Sequence, residues 1–394
     1  MNPSPDARRL RGAALDEAFV AARDATWRAT LDLTDEQWRV PYHRGIQPTA
    51  WDLAHIAWFA EFWLLRGPHR LGIDGLLRAE RNAPVIGRDH HHDSAAITHE
   101  ERWRIPAWSR AELQDKLGEQ LALCRAAAHR GDDDPDTLYH ARFAVFHELM
   151  HVEALWWTRG ILGYAAPTHL RLPRLRPRPE VKCDGGEFGL GQRRDEDRFA
   201  FDNELPGHTV RLAPFRIDAQ PVSNAQFLAF VQGDGYADES AWTAAGWRWL
   251  QRERRQHPER WRCDRDGAWQ QRWFERWVEL PLDEPVIHVN AHEAEAYCAF
   301  VGRRLPRAAE WEAAADRITW GRSVWEWTAD AFAPYPSFRP APYTTYSAPW
   351  FHKQREMRGG AFTTHELMHD RRYRNFFLPQ RTDVFAGFRT AADG

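Results

Sequence analysis

Apolar residues recur at three-to-four spacing through four long segments of the first part of the chain, Ala13–Leu31, Trp51–Leu65, Arg110–His129 and Asp136–Leu162. Each is nearly free of internal Pro and Gly, so the spacing predicts four amphipathic helices. Ser109 ahead of Glu112 forms a capping-box signature that opens the third. Four such helices joined by connections of different length predict a four-helix bundle.

The pattern then changes. From Tyr164 to Lys182 the helical period disappears and Pro and Arg alternate irregularly, as in a linker. Beyond Cys183 come short apolar runs, frequent Gly and Pro turns, and two short helical patches, Ala291–Val301 and Ala308–Ala315. That succession predicts an irregular α+β domain with long ordered loops. The chain therefore divides into residues 1–170 and 171–394, with no fixed-period repeat and no low-complexity tract.

Composition narrows the function class. An apolar share of 43% over 394 residues is enough to build two cores. A net charge of −3 supplies no field for gathering nucleic acid or anionic lipid, so neither is expected as a partner. No run approaches the ~20 apolar residues of a membrane span. The charged N-terminal stretch, with Asp6, Asp16 and three Arg but no apolar run behind it, reads against a secretory leader. Cys124, Cys183, Cys263 and Cys298 are widely spaced, which argues against a disulfide framework or a cysteine zinc site and fits a reducing cytoplasm. The 21 Trp mostly represent core volume, though aromatic walls would also suit a flat or cationic ligand.

The chemistry concentrates in histidines. His147 and His151 lie four apart on one predicted helix and so share a face. His55, flanked by apolar residues on a second helix, points inward, and bundles assemble metal sites from such facing side chains. Three neutral imidazoles leave coordination positions open, the logic of a facial non-haem iron site with His in place of the usual carboxylate. Zinc remains open on sequence alone. His147-Glu148-Leu149-Met150-His151 is also a literal H-E-x-x-H, in which Glu148 would be the general base of a zinc hydrolase. Against that reading, Ala154 and Trp157 stand where the extended metzincin motif has Gly and His. His90, His91 and His92 lie in a polar stretch and are expected to be solvated.

A resemblance covers nearly the whole chain. The first part resembles the DinB-like bundle. The second is similar to the formylglycine-generating-enzyme fold, a C-type-lectin variant. Its matching stretches are Gly185-Gly186-Glu187-Phe188, Pro221-Val222-Ser223-Asn224, Pro285-Val286, Arg304-Leu305-Pro306 with Glu310-Trp311-Glu312, Val324-Trp325-Glu326-Trp327-Thr328, Arg358-Gly359-Gly360 and Gly387-Phe388-Arg389. The pairing resembles the ergothioneine-biosynthesis sulfoxide synthases and their relatives the selenoneine synthases. True formylglycine-generating enzymes need a late cysteine pair, and no cysteine follows Cys298.

That resemblance implies iron(II) on His55, His147 and His151, with Glu153 orienting a ligand and the second domain completing the active site. It implies hercynine as acceptor, O₂ as oxidant and a chalcogen donor, with Asn375, Phe376, Phe377 and Arg381 at the substrate. Three positions depart from the enzymes that use γ-glutamylcysteine. Met150 replaces a Gln, Phe377 replaces an Asp, and, if Tyr335-Pro336 is the family's Tyr-Pro pair, Phe332 occupies the position of a catalytic Tyr. The segment Asp93-Ser94 to His99, Arg102 and Trp103 resembles the selenoneine branch. Together these imply a selenosugar donor, the alternative being a cysteine-type thiol. Outside this class remain the zinc hydrolase and a non-catalytic lectin-like binding module.

Overall fold

The computed structural model describes residues 6–394; Met1–Pro5, part of the stretch weighed against a leader, lie outside them. The chain forms two compact units. One runs to Thr158 and includes Asp197–Phe199; the other comprises Arg159–Glu196 and Ala200–Gly394. The expected boundary at 170 thus shifts into the last turn of a helix.

In the first unit the four expected helices are α1 (Gly12–Thr30), α2 (Thr49–Ala60), α3 (Arg110–Arg130) and α4 (Pro135–Leu162). Ser109 caps α3 as its sequence predicts: its hydroxyl accepts from Glu112 N–H at 3.2 Å and the Glu112 carboxylate from Ser109 N–H at 2.8 Å. α2 is buried along almost its whole length, which explains an apolar run with little amphipathic contrast. It continues into a π-helical turn, Glu61–Leu65. A small antiparallel hairpin, β1 (His69–Leu71) with β2 (Leu77–Ala79), follows. Phe199 joins this unit because its ring packs on Phe146 (4.9 Å), Tyr139 (5.2 Å) and Phe143 (5.6 Å), while its N–H donates to Arg8 O.

The second unit carries small sheets and short helices. A four-stranded sheet runs β12 (Asn375–Phe377), β11 (Arg355–Gly359), β10 (Trp325–Ala331), β13 (Ala386–Gly387), antiparallel except for the β10–β13 pair. A three-stranded sheet orders β14 (Ala391–Asp393), β6 (Phe215–Ile217) and β3 (Val181–Cys183); the other pairings are β4 (Gly186–Leu190) with β5 (His208–Leu212), and β7 (Trp261–Cys263), β8 (Trp269–Trp273), β9 (Arg276–Glu279). The helices are α5 (Asn224–Gln232), α6 (Ala244–Glu253), α7 (Ala291–Phe300) and α8 (Ala308–Ala314). Trp311 of α8 packs with Phe215, Ile217, Leu212 and Ala391 in one core cluster.

The motifs that carried the resemblance are this unit's internal fastenings. Arg389 and Glu326, both fully buried, form an ion pair through both carboxylate oxygens, and Trp311 Nε1 also donates to Glu326 Oε2 at 2.9 Å. Arg358 pairs with Glu312 and Glu356 at 2.8 Å each. Arg304 holds Glu310 with two bonds of 2.7 and 2.8 Å. Buried charges survive only when so matched. Gly387 is required for a different reason: a Cβ there would sit 2.4 Å from Val286 O. No helix among the described residues is long and apolar enough to cross a membrane.

Candidate metal centre

α2 supplies His55 and α4 supplies His147 and His151, and one ring nitrogen of each lies within 4.8 Å of the others. The ring centres are 5.0 Å (His55–His147), 5.0 Å (His55–His151) and 4.6 Å (His147–His151) apart. Each ring is fixed from outside the cluster. His55 stacks on Trp51 (4.8 Å, 8° between planes) and His147 on Phe59 (3.6 Å, 7°).

The hydrogen bonds decide which nitrogens face inward. His55 Nδ1 lies 2.7 Å from His92 O, and a carbonyl can only accept, so the proton sits on Nδ1. His151 Nδ1 donates in the same way to the Asp52 carboxylate at 2.8 Å. In both rings Nε2 is left with its lone pair. Burial, reinforced by the neighbouring imidazoles, holds His55 and His147 well below the ordinary histidine range. These are neutral donors, the form that binds a divalent ion. The donor set therefore fits a metal: three imidazoles in register, two of their tautomers fixed by acceptors behind them.

The backing is itself held in place. Glu61, fully buried, accepts from the N–H groups of Val85 (2.9 Å), Ile86 (2.8 Å) and Gly87 (3.0 Å). Asp89 takes two bonds from Arg66 (2.6 and 2.9 Å) and one from Trp58 Nε1 (2.8 Å). Segment 85–92 is thereby tied to α2 and its π-helical turn, and His92 O arrives behind His55. The expectation that His92 is solvated is corrected: its side chain is buried, stacks near Trp108 and is pushed down to about 4 by that burial. His90 is exposed, as expected.

Glu148 has no access to hydrolytic chemistry. It is buried, and its carboxylate accepts from Arg23 Nε (2.8 Å), Arg23 Nη2 (3.3 Å) and Thr26 Oγ1 (2.8 Å), all on α1. One residue after His147, it starts about a quarter-turn around the helix from the metal face. A general base must reach the water it activates; this carboxylate is instead consumed in tying α4 to α1.

The remaining sequence candidates fall into two sets, one in each unit. Met150 is half-buried and Glu153 buried on α4, with Glu153 directed roughly 200° around the helix from His151. Asn375, Phe376 and Phe377 are half-buried on β12, where Phe376 stacks on the buried Phe332 at 4.0 Å and 15°. Asn375 Oδ1 accepts from Phe376 N–H at 2.9 Å. Arg381 pairs with Asp383 and lies 5.1 Å over the Phe377 ring. The Tyr335 hydroxyl accepts from Arg358 Nη2 at 3.1 Å, its ring lies 4.0 Å under the Arg374 guanidinium, and burial pushes the phenol up to about 12. That pairing ties Tyr335 to the buried Arg358–Glu356–Arg374 ion network.

Sequence reasoning missed Asp52, Glu61 and the His92 carbonyl. For Asp52 a signal was present: a lone carboxylate three residues before His55 in an otherwise apolar helix face is costly unless it has a buried partner.

A family model described as the DinB superfamily matches residues 18–155, and one described as a sulfatase-modifying factor enzyme 1-like domain matches residues 168–323. The two units are accordingly a DinB-like helical domain and a mixed α and β domain of the FGE-sulfatase type. The chain is 30% identical to the hercynine oxygenase of Mycolicibacterium thermoresistibile, across 97% of this chain and 95% of that protein. It is also 30% identical to the hercynine oxygenase of Mycobacterium tuberculosis, across 92% and 95%. The formylglycine-generating enzyme of Streptomyces coelicolor is 28% identical, covering 56% of this chain and 92% of its own length.

Proposed function

We propose that this chain, which belongs to the hercynine oxygenase family, is an iron(II)- and O₂-dependent enzyme that joins selenium from a selenosugar to imidazole C2 of hercynine. In the net reaction the C2–H and Se–H bonds are lost and a C2–Se bond forms. O₂ takes up the four electrons, one oxygen ending on selenium and the other in water.

The observation that carries the metal assignment is the convergence of His55, His147 and His151. Iron(II) held there would supply activation of O₂ beside the bound imidazole. The protein's own contribution is positional. Asp52 and His92 O keep the protons of His151 and His55 on Nδ1 and direct both Nε2 atoms inward. Trp51 and Phe59 fix ring rotation and cover two imidazole faces. Glu148, engaged by α1, takes no part in proton transfer.

The donor assignment rests on Met150, Phe332 and Phe377. Arg381 is neutralised by Asp383, and Phe377 stands where the resemblance places a thiol-holding Asp. Placing the charged end of γ-glutamylcysteine beside Phe377 would desolvate an ion without a partner, at a cost of several kcal/mol. A neutral selenosugar avoids that cost, since its hydroxyls need only modest hydrogen bonds. The second reading, a cysteine-type thiol donor giving a sulfoxide, is supported by the likeness to hercynine oxygenases at 30% identity. Side-by-side turnover with iron(II), O₂ and hercynine separates them, with products resolved by mass spectrometry. A selenium-bearing hercynine from the 1-selenosugar, formed far faster than any product from γ-glutamylcysteine or cysteine, is the expected outcome. Efficient sulfoxide formation without selenosugar turnover assigns the thiol donor instead.

A further inference from the structure

An unbroken series of aromatic contacts joins the histidine cluster to a half-buried edge of the first unit. From His55 it runs to Trp58 (5.8 Å between ring centres), then to Phe62 (4.9 Å) and Trp63 (5.3 Å). A second branch leaves His147 through Phe59 (3.6 Å) and also ends on Trp63 (6.2 Å). Trp63 stacks on His140 (5.5 Å, 10°), whose ring meets Tyr139 edge-on at 5.3 Å. Trp58 and Trp63 are buried, whereas His140 and Tyr139, near the start of α4, are half-buried. Trp63 stands in the π-helical turn, a local widening that is frequent at functional sites.

Core packing alone brings aromatic rings together. The two indoles beside His55, however, differ in a way that gives the series a direction. Trp51 carries the Arg102 guanidinium 4.2 Å from its ring centre, so removing an electron from it would set two positive charges face to face. Trp58 instead donates its indole N–H to the Asp89 carboxylate at 2.8 Å, a group able to take that proton as the ring is oxidised. Asp89 is held there by Arg66. An electron therefore leaves Trp58 more easily than Trp51.

We propose that Trp58, Trp63 and Tyr139 form an escape route for oxidising equivalents, sparing the cluster when O₂ is reduced there without its substrates. The proposal rests on the iron(II) and O₂ reading and is indifferent to the donor. In each passage Trp58 gives one electron toward the cluster and its N–H proton to Asp89. It recovers the electron from Trp63 and the proton from Asp89. Tyr139 then refills Trp63, its phenolic proton leaving to water, and a small thiol in solution returns a hydrogen atom to the tyrosyl radical. Four passages convert one O₂ and four protons to two waters, and four thiols leave as two disulfides.

The test is the full chain loaded anaerobically with iron(II) and then given O₂ without hercynine or donor. Freeze-quench electron paramagnetic resonance and mass mapping of peptides read the outcome. A tyrosyl signal is expected, quenched by added thiol, with oxidation mapping to Tyr139 and Trp63. In Tyr139→Phe the tyrosyl signal should vanish and an indolyl signal replace it. In Trp63→Phe oxidation should accumulate at Trp58, Trp51 and the three histidines, and iron should be lost severalfold faster over repeated exposures to O₂. Trp350→Phe, at an exposed position of the second unit, should behave as the parent. Melting temperatures exclude misfolding, and Tyr139→Phe carries the test if Trp63→Phe unfolds. Oxidised histidines beside unmodified Trp63 and Tyr139, a tyrosyl signal that survives Tyr139→Phe, or iron loss no faster in the variants would each overturn the route alone. A chain that binds no iron or consumes no O₂ instead fails the metal reading, and the route falls with it.

Discussion

The Asp52 carboxylate accepts the Nδ1 proton of His151 at 2.8 Å while almost completely buried, on the same helix as His55. One turn of α2 thus supplies both a candidate ligand and the group that orients another. Asp52→Asn preserves shape but replaces the charged acceptor with an amide that can present N–H to the ring. Losses on the order of 10–100-fold in metal affinity or activity are typical of such changes. Competition titration of iron(II) binding should show a loss of that size. Unaltered affinity would reduce Asp52 to a packing residue.

His55→Ala, His147→Ala and His151→Ala should each remove iron retention and turnover together. Metal analysis after anaerobic purification is the check. Iron with full occupancy in the parent chain and none in the three variants is expected. Zinc in their place, or a histidine variant that keeps iron and activity, would break the metal assignment.

Glu148→Gln separates chemistry from stability. The substitution leaves Arg23, which is 4% exposed, facing a neutral amide. Removing one partner of a buried ion pair costs roughly 3–5 kcal/mol. Chemical denaturation should show a loss of that order, while turnover per folded molecule stays close to that of the parent. A stable but inactive Glu148→Gln would revive the hydrolytic base.

The four helices and the Ser109–Glu112 capping box were legible because period and cap chemistry are local properties. His55, His147 and His151 were legible for the same reason, each declared by its helix face. What stayed hidden depends on chain segments distant in sequence. His92 reads as polar and solvated beside His90 and His91; it is buried because Glu61 and Arg66 draw segment 85–92 onto α2. Glu148 looks catalytic by spacing, and only α1, more than a hundred residues earlier, reveals its partner. The Gly387-Phe388-Arg389 and Glu326 motifs were recognisable as a likeness, but their use as a buried ion pair appears only when β10 and β13 lie side by side.

Glu293 gives the second unit a pH dependence whose sign can be worked out. It is fully buried at the start of α7, where its carboxylate accepts from Asn290 N–H at 2.9 Å and from the Tyr236 hydroxyl at 2.6 Å. Burial outweighs these two bonds and raises the carboxyl from 4.5 to about 7. Between those values the folded chain holds a proton that the unfolded chain releases. The contribution of this group is therefore complete below about 4.5 and is lost as pH rises through about 7. The slope it adds approaches about 1.4 kcal/mol per pH unit within that window. Glu293→Gln keeps a capping side chain at the same position without a titrating proton. Denaturation midpoints measured from pH 5 to 8 should fall with pH in the parent chain and do so less steeply in Glu293→Gln, leaving the variant relatively more stable at the alkaline end. Parallel curves for the two proteins would show that Glu293 titrates alike in folded and unfolded chains, which its burial does not permit.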